Sequence, residues 1–268
     1  MQSTTLGKIY DLALKPLGER GETALWSLWW IMTAMILGSP GSSAAQEISK
    51  TKALVDLDSQ AGEQLLFTSQ ARRDYLPLSS EFLTQNHLAY CGVATIVMIL
   101  NALEVDAPEV VSHTVPGLVS YRFFTQENVF ENENTHTVIK PETIKKQGMT
   151  LQELGGLFQS YPLDVQVFHG QEVSLDQFRN SVVQNLQQPK NFVAVNYLRR
   201  SLGQKGGGHI SPIAAYNAES DRFLILDVAR YRYEPLWVEA EALWKAINTL
   251  DSTSGKSRGF VLVNSVAR

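Results

Sequence analysis

A single cysteine is the first residue in this 268-residue chain that could do covalent chemistry. Cys91 precedes Gly92 and opens an apolar stretch that runs to Leu103 (CGVATIVMILNAL), a pattern typical of a helix buried on every side. Free backbone N–H groups and the helix dipole at such a helix start stabilise a thiolate. Cys91 is therefore a candidate nucleophile, whereas most lone cysteines are small buried core residues.

Gln85 could supply a second part of an acyl-transfer site. It stands six residues before Cys91, and a bend over residues 86–90 would bring its side-chain amide close to the Cys91 backbone N–H. Two N–H donors that converge on one point form an oxyanion hole, which stabilises the oxygen of a carbonyl group under attack. The sequence therefore predicts a nucleophile and an oxyanion donor within one turn-like segment.

A thiolate nucleophile needs an imidazole partner, and His209 is the best candidate among the five histidines, which are His87, His113, His136, His169 and His209. It follows three glycines, which allow close backbone approach, so Gly208 is predicted to contact substrate. Eighteen residues later Asp227 ends an apolar run (FLILD), where it could orient the His209 ring across a hairpin. Taken separately, His209 could be a hydrogen-bonded strand residue and Asp227 a turn former.

The elements that must position these residues change in character along the chain. Capping boxes at Thr150 to Glu153 and Ser174 to Gln177 predict helices in the first part of the chain. Later, short apolar runs predict antiparallel strands at 191–198, 210–216, 222–228 and 259–263. The fold class predicted is α+β, with the nucleophile on a helical lobe and His209 and Asp227 on a sheet lobe, an order of residues typical of papain-like cysteine peptidases.

Residues 1–45 form a segment distinct from the catalytic region predicted at 46–268. Three basic residues precede an apolar run of 15 residues, Ala24 to Gly38, and small residues with a cleavage-like pattern follow it at Ser43 and Ala45. The pattern predicts a signal peptide and a periplasmic or extracellular protein. An uncleaved segment would instead anchor the chain in a membrane, and a buried structural helix would leave it in the cytoplasm.

Composition excludes several classes of protein. Lys and Arg total 23 against 27 for Asp and Glu, a net charge of -4, so the chain has no basic surplus to hold nucleic acid, and we expect no nucleic-acid partner. One cysteine rules out an intramolecular disulfide and a zinc site built on several thiolates. The scattered histidines have no metal-ligand spacing, so no metal site or protein-bound cofactor is predicted. A non-catalytic thiol-binding or metal-binding module is the weakest of the three interpretations.

Longer segments resemble the phytochelatin synthase family, particularly its short bacterial members. They are RRDYLPLSSEFLTQ, FLTQNHLAYCGVATIVMILNAL, YRFFTQEN, GGGHISPIAAYNAESDRFLILDVARYRYEPLWV and LWKAINTLDSTSGKSRGF, and together they extend over nearly all of residues 60–265. The resemblance implies that Cys91 is the nucleophile, His209 the general base and acid, Asp227 the orienting carboxylate and Gln85 the oxyanion donor.

The family's reaction implies a substrate and further site residues. It cleaves glutathione (γ-Glu-Cys-Gly), releases glycine and leaves a γ-Glu-Cys thioester that water or a second glutathione resolves. The resemblance implies that Asp251 and Arg258 contact the γ-glutamyl group, and that Arg230 and Tyr90 belong to the second-substrate region. With one cysteine in the chain, no thiol-rich metal sensor is expected, so cadmium or zinc would enter as a metal–glutathione thiolate substrate. A homodimer stays open as a further partnership of this chain.

One alternative shares the same catalytic groups. A secreted papain-like endopeptidase would use Cys91, His209 and Asp227 on extended polypeptides, with a cleft that binds backbone along several subsites. The pair Asp251 and Arg258 favours a small zwitterionic substrate instead, because a carboxylate and a guanidinium match the ammonium and carboxylate of a γ-glutamyl group.

Overall fold

The computed structural model describes residues 54–110 and 121–266, and these form a mixed α+β fold around one large sheet. Seven strands follow one another in the order β1-β8-β7-β6-β5-β11-β4, with every neighbouring pair antiparallel. Their bounds are Leu54–Asp56 (β1), Leu163–His169 (β4), Asn191–Leu198 (β5), Gly208–Asn217 (β6), Arg222–Ile225 (β7), Leu236–Glu239 (β8) and Gly259–Ser265 (β11). Two short hairpins pair Glu109–Val110 (β2) with Tyr121–Arg122 (β3) and Leu250–Asp251 (β9) with Lys256–Ser257 (β10).

Helices cover both faces of the sheet. The described helices are Gln60–Thr68 (α1), Tyr75–Ser80 (α2), Cys91–Ala102 (α3), Glu133–Val138 (α4), Pro141–Gln147 (α5), Leu151–Gln159 (α6), Leu175–Leu186 (α7) and Ala240–Ile247 (α8). Helices α3 and α6 pack into one hydrophobic cluster with one face of the sheet, and α7 and α8 pack into a second cluster with the other face.

This two-sided burial explains why the strands read as continuous apolar runs. Phe192 and Ala194 of β5 face the α3 side, and Val193, Val195 and Tyr197 face the α7 side. A strand that is covered on both faces needs apolar residues at every position, so the alternation of a half-exposed strand is lost. The predicted strands at 191–198, 210–216, 222–228 and 259–263 correspond to β5, β6, β7 and β11, which confirms the α+β class.

The helix predictions also agree with the structure. Both capping boxes are present, at the starts of α6 and α7. In each, the hydroxyl of the capping residue accepts the backbone N–H of the third helical residue, and the side chain of that third residue accepts the backbone N–H of the capping residue. Helix α3 has an almost completely buried surface, as its composition predicts. Strands β1, β4 and β8 are additions to the sheet that the sequence patterns did not reveal.

The predicted signal segment at 1–45 lies outside the described residues. Within 54–110 and 121–266, no helix has the length and apolar character required to span a bilayer.

Candidate active site

Cys91 is the first residue of α3, and α3 packs directly against strand β6. Thr95 donates its hydroxyl hydrogen to the Cys91 carbonyl (2.9 Å) and lies 3.3 Å from the carbonyl oxygen of Ile210 on β6. Gly92 permits this close packing, because a Cβ there would come within 2.9 Å of Met149 Sδ and 3.2 Å of Ile210 Cδ1. The half-buried thiol therefore lies at a helix start, beside the strand that carries His209.

His209 and Asp227 form the second part of the site. His209 is the second residue of β6, and Asp227 follows the end of β7, the neighbouring strand. His209 Nε2 lies 2.9 Å from Asp227 Oδ1 and 3.0 Å from Ser211 Oγ. These contacts leave Nδ1 as the ring nitrogen for the hydrogen bond between His209 and the Cys91 thiol. The structure thus brings together three residues that are 118 and 18 positions apart in the chain.

The thiol and the imidazole alter each other's protonation. Burial alone raises the pKa of the Cys91 thiol, but the hydrogen bond and charge of His209, with the N–H groups of Ile210 and Gly92, lower it below its ordinary value of 9.0. Burial alone lowers the pKa of His209, but Asp227 and Cys91 raise it above its ordinary 6.5. Both shifts favour a thiolate–imidazolium pair, the reactive form of a cysteine nucleophile.

Arg199 is a functional candidate that the sequence analysis missed. It follows β5 and is 3% exposed, and its Nη2 donates to Asp227 Oδ1 at 2.8 Å, while Nη1 lies 2.7 Å from Oδ2 in an ion-pair contact. Burial alone raises the pKa of Asp227, but His209 and Arg199 outweigh it and hold the pKa well below its usual range. A charged residue directly after an apolar run was the only signal, and it did not reveal the partner strand.

Gln85 lies in the segment before α3 and lines the same cleft as His209. Its Nε2 donates to the carbonyl oxygens of His87 (2.7 Å) and Leu88 (3.0 Å), and its Oε1 is buried with no hydrogen-bond partner among the described residues. Both amide hydrogens therefore hold the loop that leads into Cys91. The role of Gln85 as an oxyanion donor stays a prediction, and it requires one of these two hydrogen bonds to be exchanged for the substrate oxygen.

Asp251 and Arg258 lie together beside the start of β6. Arg258 Nη2 is 3.7 Å from Asp251 Oδ1, and Nη1 donates to the Leu250 carbonyl at 2.6 Å. A Cβ at Gly208 would lie only 2.8 Å from Arg258 Nη2, so this glycine admits the guanidinium next to His209. Both side chains are buried, since each is 8% exposed.

A cleft of about 260 Å³ opens at His209. Its lining includes Gln85, Gly208 and Arg232. Arg230, a predicted second-substrate residue, is exposed and stacks its guanidinium on the Phe82 ring at 4.6 Å.

Tyr90, the other predicted second-substrate residue, is the N-cap of α3 and is 5% exposed. Its ring lies 5.4 Å from the His87 ring. The second-substrate roles of Arg230 and Tyr90 stay predictions.

Within residues 54–110 and 121–266, no group of three or more His, Cys, Asp or Glu side chains could hold a metal ion. His169, which had no support in the sequence, is buried and hydrogen-bonded at both ring nitrogens.

Comparison with known proteins assigns the family of this chain. The sequence profile of phytochelatin synthase matches residues 45–260, a range that includes every candidate residue described above. The chain belongs to the phytochelatin synthase family. Its match covers both the α3 segment with Cys91 and the strands with His209 and Asp227.

Individual relatives of this phytochelatin synthase family member carry the name glutathione gamma-glutamylcysteinyltransferase. Protein 3 of Lotus japonicus is 32% identical over 217 residues, which cover 80% of this chain and 43% of that protein. Protein 1 of Arabidopsis thaliana is 33% identical over 78% of this chain and 41% of its own length. The Schizosaccharomyces pombe protein is 32% identical over 71% of this chain and 43% of its own length. The chain spans less than half the length of these curated relatives.

Proposed function

We propose that this protein cleaves glutathione, forming a γ-Glu-Cys thioester on Cys91 and releasing glycine. The observation that carries the proposal is the Cys91–His209–Asp227 arrangement in a chain of the phytochelatin synthase family. The names of its relatives, which specify transfer of a γ-glutamylcysteinyl group from glutathione, support the choice of substrate. The fold that we propose for this chemistry is the papain-like one, with nucleophile and base on opposite sides of a cleft.

Acylation begins with the Cys91 thiolate. Its sulfur attacks the carbonyl carbon of the Cys–Gly peptide bond, and the oxygen that becomes negative is stabilised by the first N–H groups of α3 and by Gln85. The C–N bond then breaks, and the His209 imidazolium gives its Nδ1 proton to the departing amine of glycine. Asp227 keeps the imidazole oriented and remains ionised, since its pKa is held well below neutrality.

Deacylation reverses the proton transfer. Neutral His209 takes a proton from water or from the α-amine of a second glutathione, which attacks the thioester carbonyl. The S–C bond breaks and Cys91 returns as a thiolate paired with the imidazolium. Water yields γ-Glu-Cys, and a second glutathione yields a phytochelatin. Cadmium or zinc enters this scheme only as a thiolate complex of the substrate.

Recognition of the γ-glutamyl group is assigned to Arg258 and Asp251. Arg258 is buried, and its Nε has no hydrogen-bond partner among the described residues. A buried N–H group without an acceptor is costly, so a substrate carboxylate would satisfy it. The Asp251 carboxylate, at 3.7 Å from the guanidinium, is suited to the α-ammonium group. Together they favour a small zwitterionic substrate over the extended polypeptide of an endopeptidase.

Mass spectrometry of the full-length chain tests the acyl-enzyme directly. Mixing the protein with glutathione should add one γ-Glu-Cys group to Cys91, with release of glycine measured in parallel, with and without cadmium. Cys91→Ser should show neither, because a serine hydroxyl is not ionised by this site. Absence of both the adduct and glycine release from the unmodified chain would overturn the proposal, and cleavage of longer peptides instead would favour the endopeptidase.

A further inference from the structure

A buried histidine lies directly behind the arginine assigned to substrate recognition. His169 is the last residue of β4 and is 4% exposed. Its Nδ1 lies 2.5 Å from the carbonyl oxygen of Ser257, which immediately precedes Arg258. The mechanism above makes no use of this imidazole.

The two neighbours of the ring determine where its proton lies. A carbonyl oxygen can only accept, so His169 Nδ1 must carry a hydrogen and donate it to Ser257. Gln152, on α6, has its Nε2 at 2.9 Å from His169 Nε2. Because an amide N–H can only donate, His169 Nε2 accepts. The ring is therefore a neutral imidazole with its hydrogen on Nδ1.

The backbone after His169 holds the same two residues. The Gly170 N–H donates to the Arg258 carbonyl at 2.7 Å, and the Gln171 N–H donates to Ser257 Oγ at 3.1 Å. With the imidazole, three hydrogen bonds from residues 169–171 thus fix residues 257 and 258. The Arg258 guanidinium is less firmly held than this backbone, because its Nη1 donates to the Leu250 carbonyl but its Nε has no hydrogen-bond partner among the described residues.

We propose that His169 is a positioning residue for substrate recognition. Its Nδ1–H holds the Ser257–Arg258 peptide so that the guanidinium keeps its place beside Asp251, ready for the carboxylate of the γ-glutamyl group. Because the Nε donor of Arg258 has no partner among the described residues, the position of its side chain depends on its backbone. The hydrogen bond from His169 to the Ser257 carbonyl restricts that backbone. The proposal rests on the proposed function, because it requires Arg258 to bind the substrate.

Two substitutions at one position separate this role from simple packing. His169→Leu removes the donor, whereas His169→Asn places an amide N–H close to the position of Nδ1. We expect His169→Leu to raise the KM for glutathione about tenfold with kcat within about twofold of the unmodified protein, and His169→Asn to restore KM to within about twofold. Equal KM values for the Leu variant and the unmodified protein, or a loss confined to kcat, would overturn the proposal.

A truncated substrate identifies the group that is affected. The peptide 4-aminobutyryl-Cys-Gly lacks the α-carboxylate of glutathione, so His169→Leu should leave its KM unchanged. An equal KM increase for both peptides would overturn the positioning role and leave the proposed function intact. If the unmodified protein cleaves no glutathione, the proposed function itself fails, and the positioning role fails with it.

The ring can also be observed without substitution, which covers the case in which His169→Leu does not fold. Long-range ¹H–¹⁵N NMR of the unmodified protein distinguishes the two neutral tautomers and the imidazolium. We expect His169 to be neutral with its hydrogen on Nδ1. A hydrogen on Nε2 alone, or a charged ring at neutral pH, would contradict the hydrogen bond to Ser257 and overturn the proposal.

Discussion

At the scale of single residues, the site depends on the coupling between one thiol and one imidazole. Burial opposes charge on both groups, and their hydrogen bond and opposite charges outweigh it. Asp227, held ionised with the help of Arg199, supplies the negative charge that keeps the imidazolium favourable. Reactivity of Cys91 should therefore depend on residues that never contact the substrate.

The first prediction concerns the ionisation of Cys91. His209→Ala removes the hydrogen bond and charge that lower the thiol pKa, so the midpoint of iodoacetamide alkylation against pH should move upward. Cys91 is the only cysteine, so mass spectrometry of the intact chain reports this thiol alone. His136→Ala, at an exposed histidine on α4, is the matched control and should not change the midpoint. An unchanged midpoint in His209→Ala would contradict the coupling.

The second prediction concerns Arg199. Arg199→Met leaves Asp227 buried with one cationic partner fewer, and breaking a buried ion pair in this way should lower the free energy of unfolding by about 3 kcal/mol at pH 7. The measurement is urea denaturation. Arg179→Met is the control, because Arg179 pairs with Asp221 in a more exposed position and should cost about 1 kcal/mol or less.

The pH dependence of that difference follows from the Asp227 pKa. Its folded-state pKa lies below the ordinary 3.8, so the ion pair adds stability that is present above pH 3.8 and is lost as the pH falls toward the folded-state value. The gap between Arg199→Met and the unmodified protein should therefore be full at pH 7 and narrow below about pH 4. A gap that is independent of pH would show that Arg199 acts through packing alone.

At the scale of helices and strands, glycines that allow close approach of backbone segments determine the geometry of the candidate site. Helix α3 lies against β6 because Gly92 presents no side chain, and the Gly206–Gly208 loop passes beside Arg199, Arg232 and Arg258. Gly206 has φ 127°, a backbone conformation that favours glycine, and a Cβ there would lie 3.1 Å from Arg199 Cδ. The loop thus brings Gly206 close to Arg199 and Gly208, the first residue of β6, close to Arg258.

The third prediction tests this loop. Gly208→Ala would place a Cβ 2.8 Å from Arg258 Nη2, and the flexible guanidinium would move away from the site. We expect the KM for glutathione to rise about tenfold, with the free energy of unfolding changed by less than about 1 kcal/mol. Gly207→Ala is the matched control, since a Cβ there meets nothing within 4 Å and KM should not change. Equal KM values in both variants would contradict the proposed role of Arg258 in binding glutathione.

At the scale of the whole molecule, the product formed from the proposed thioester depends on whether water or a second glutathione reacts with it. Water is present at about 55 M, whereas a second glutathione must lose translational and rotational freedom on binding. The predicted acceptor-site residues are Arg230, which stacks on Phe82, and Tyr90, which is buried in the core.

The fourth prediction is that hydrolysis to γ-Glu-Cys and glycine dominates, with phytochelatin formed slowly and mainly at high glutathione concentration. Chromatography of the products over a range of glutathione concentrations, with and without cadmium, measures the partition. More phytochelatin than free γ-Glu-Cys at low millimolar glutathione would demonstrate a competent acceptor site.

The fifth prediction concerns residues 1–45. Their pattern of basic, apolar and small residues predicts export with cleavage after Ala45, which would leave Gln46 as the first residue of the mature protein. N-terminal sequencing of protein from the native source measures this. An intact chain in the membrane fraction would indicate an anchor, and an intact chain in the cytoplasm would contradict export.

Local sequence patterns predict the residues of the candidate site. Each of its three main residues is marked by its immediate neighbours: Cys91 starts an apolar run, His209 follows three glycines, and Asp227 ends an apolar run. Such patterns are local, because helix starts, close backbone approach and strand ends depend on neighbouring residues. The α+β class can also be predicted from the sequence, because strands that are buried on both faces appear in it as continuous apolar runs.

The contacts between residues distant in the chain become visible only in the folded structure. Arg199 contacts Asp227 because β5 pairs with β6 and β6 with β7, and strand pairing is not encoded in any single run. Likewise, Asp251 and Arg258 lie in a polar segment by composition, yet the fold buries both side chains and places the Arg258 guanidinium against Gly208. His169 gained its role only when β4 joined the sheet beside β11, which follows Arg258. Burial and pairing are properties of the assembled sheet, so a local pattern cannot specify them.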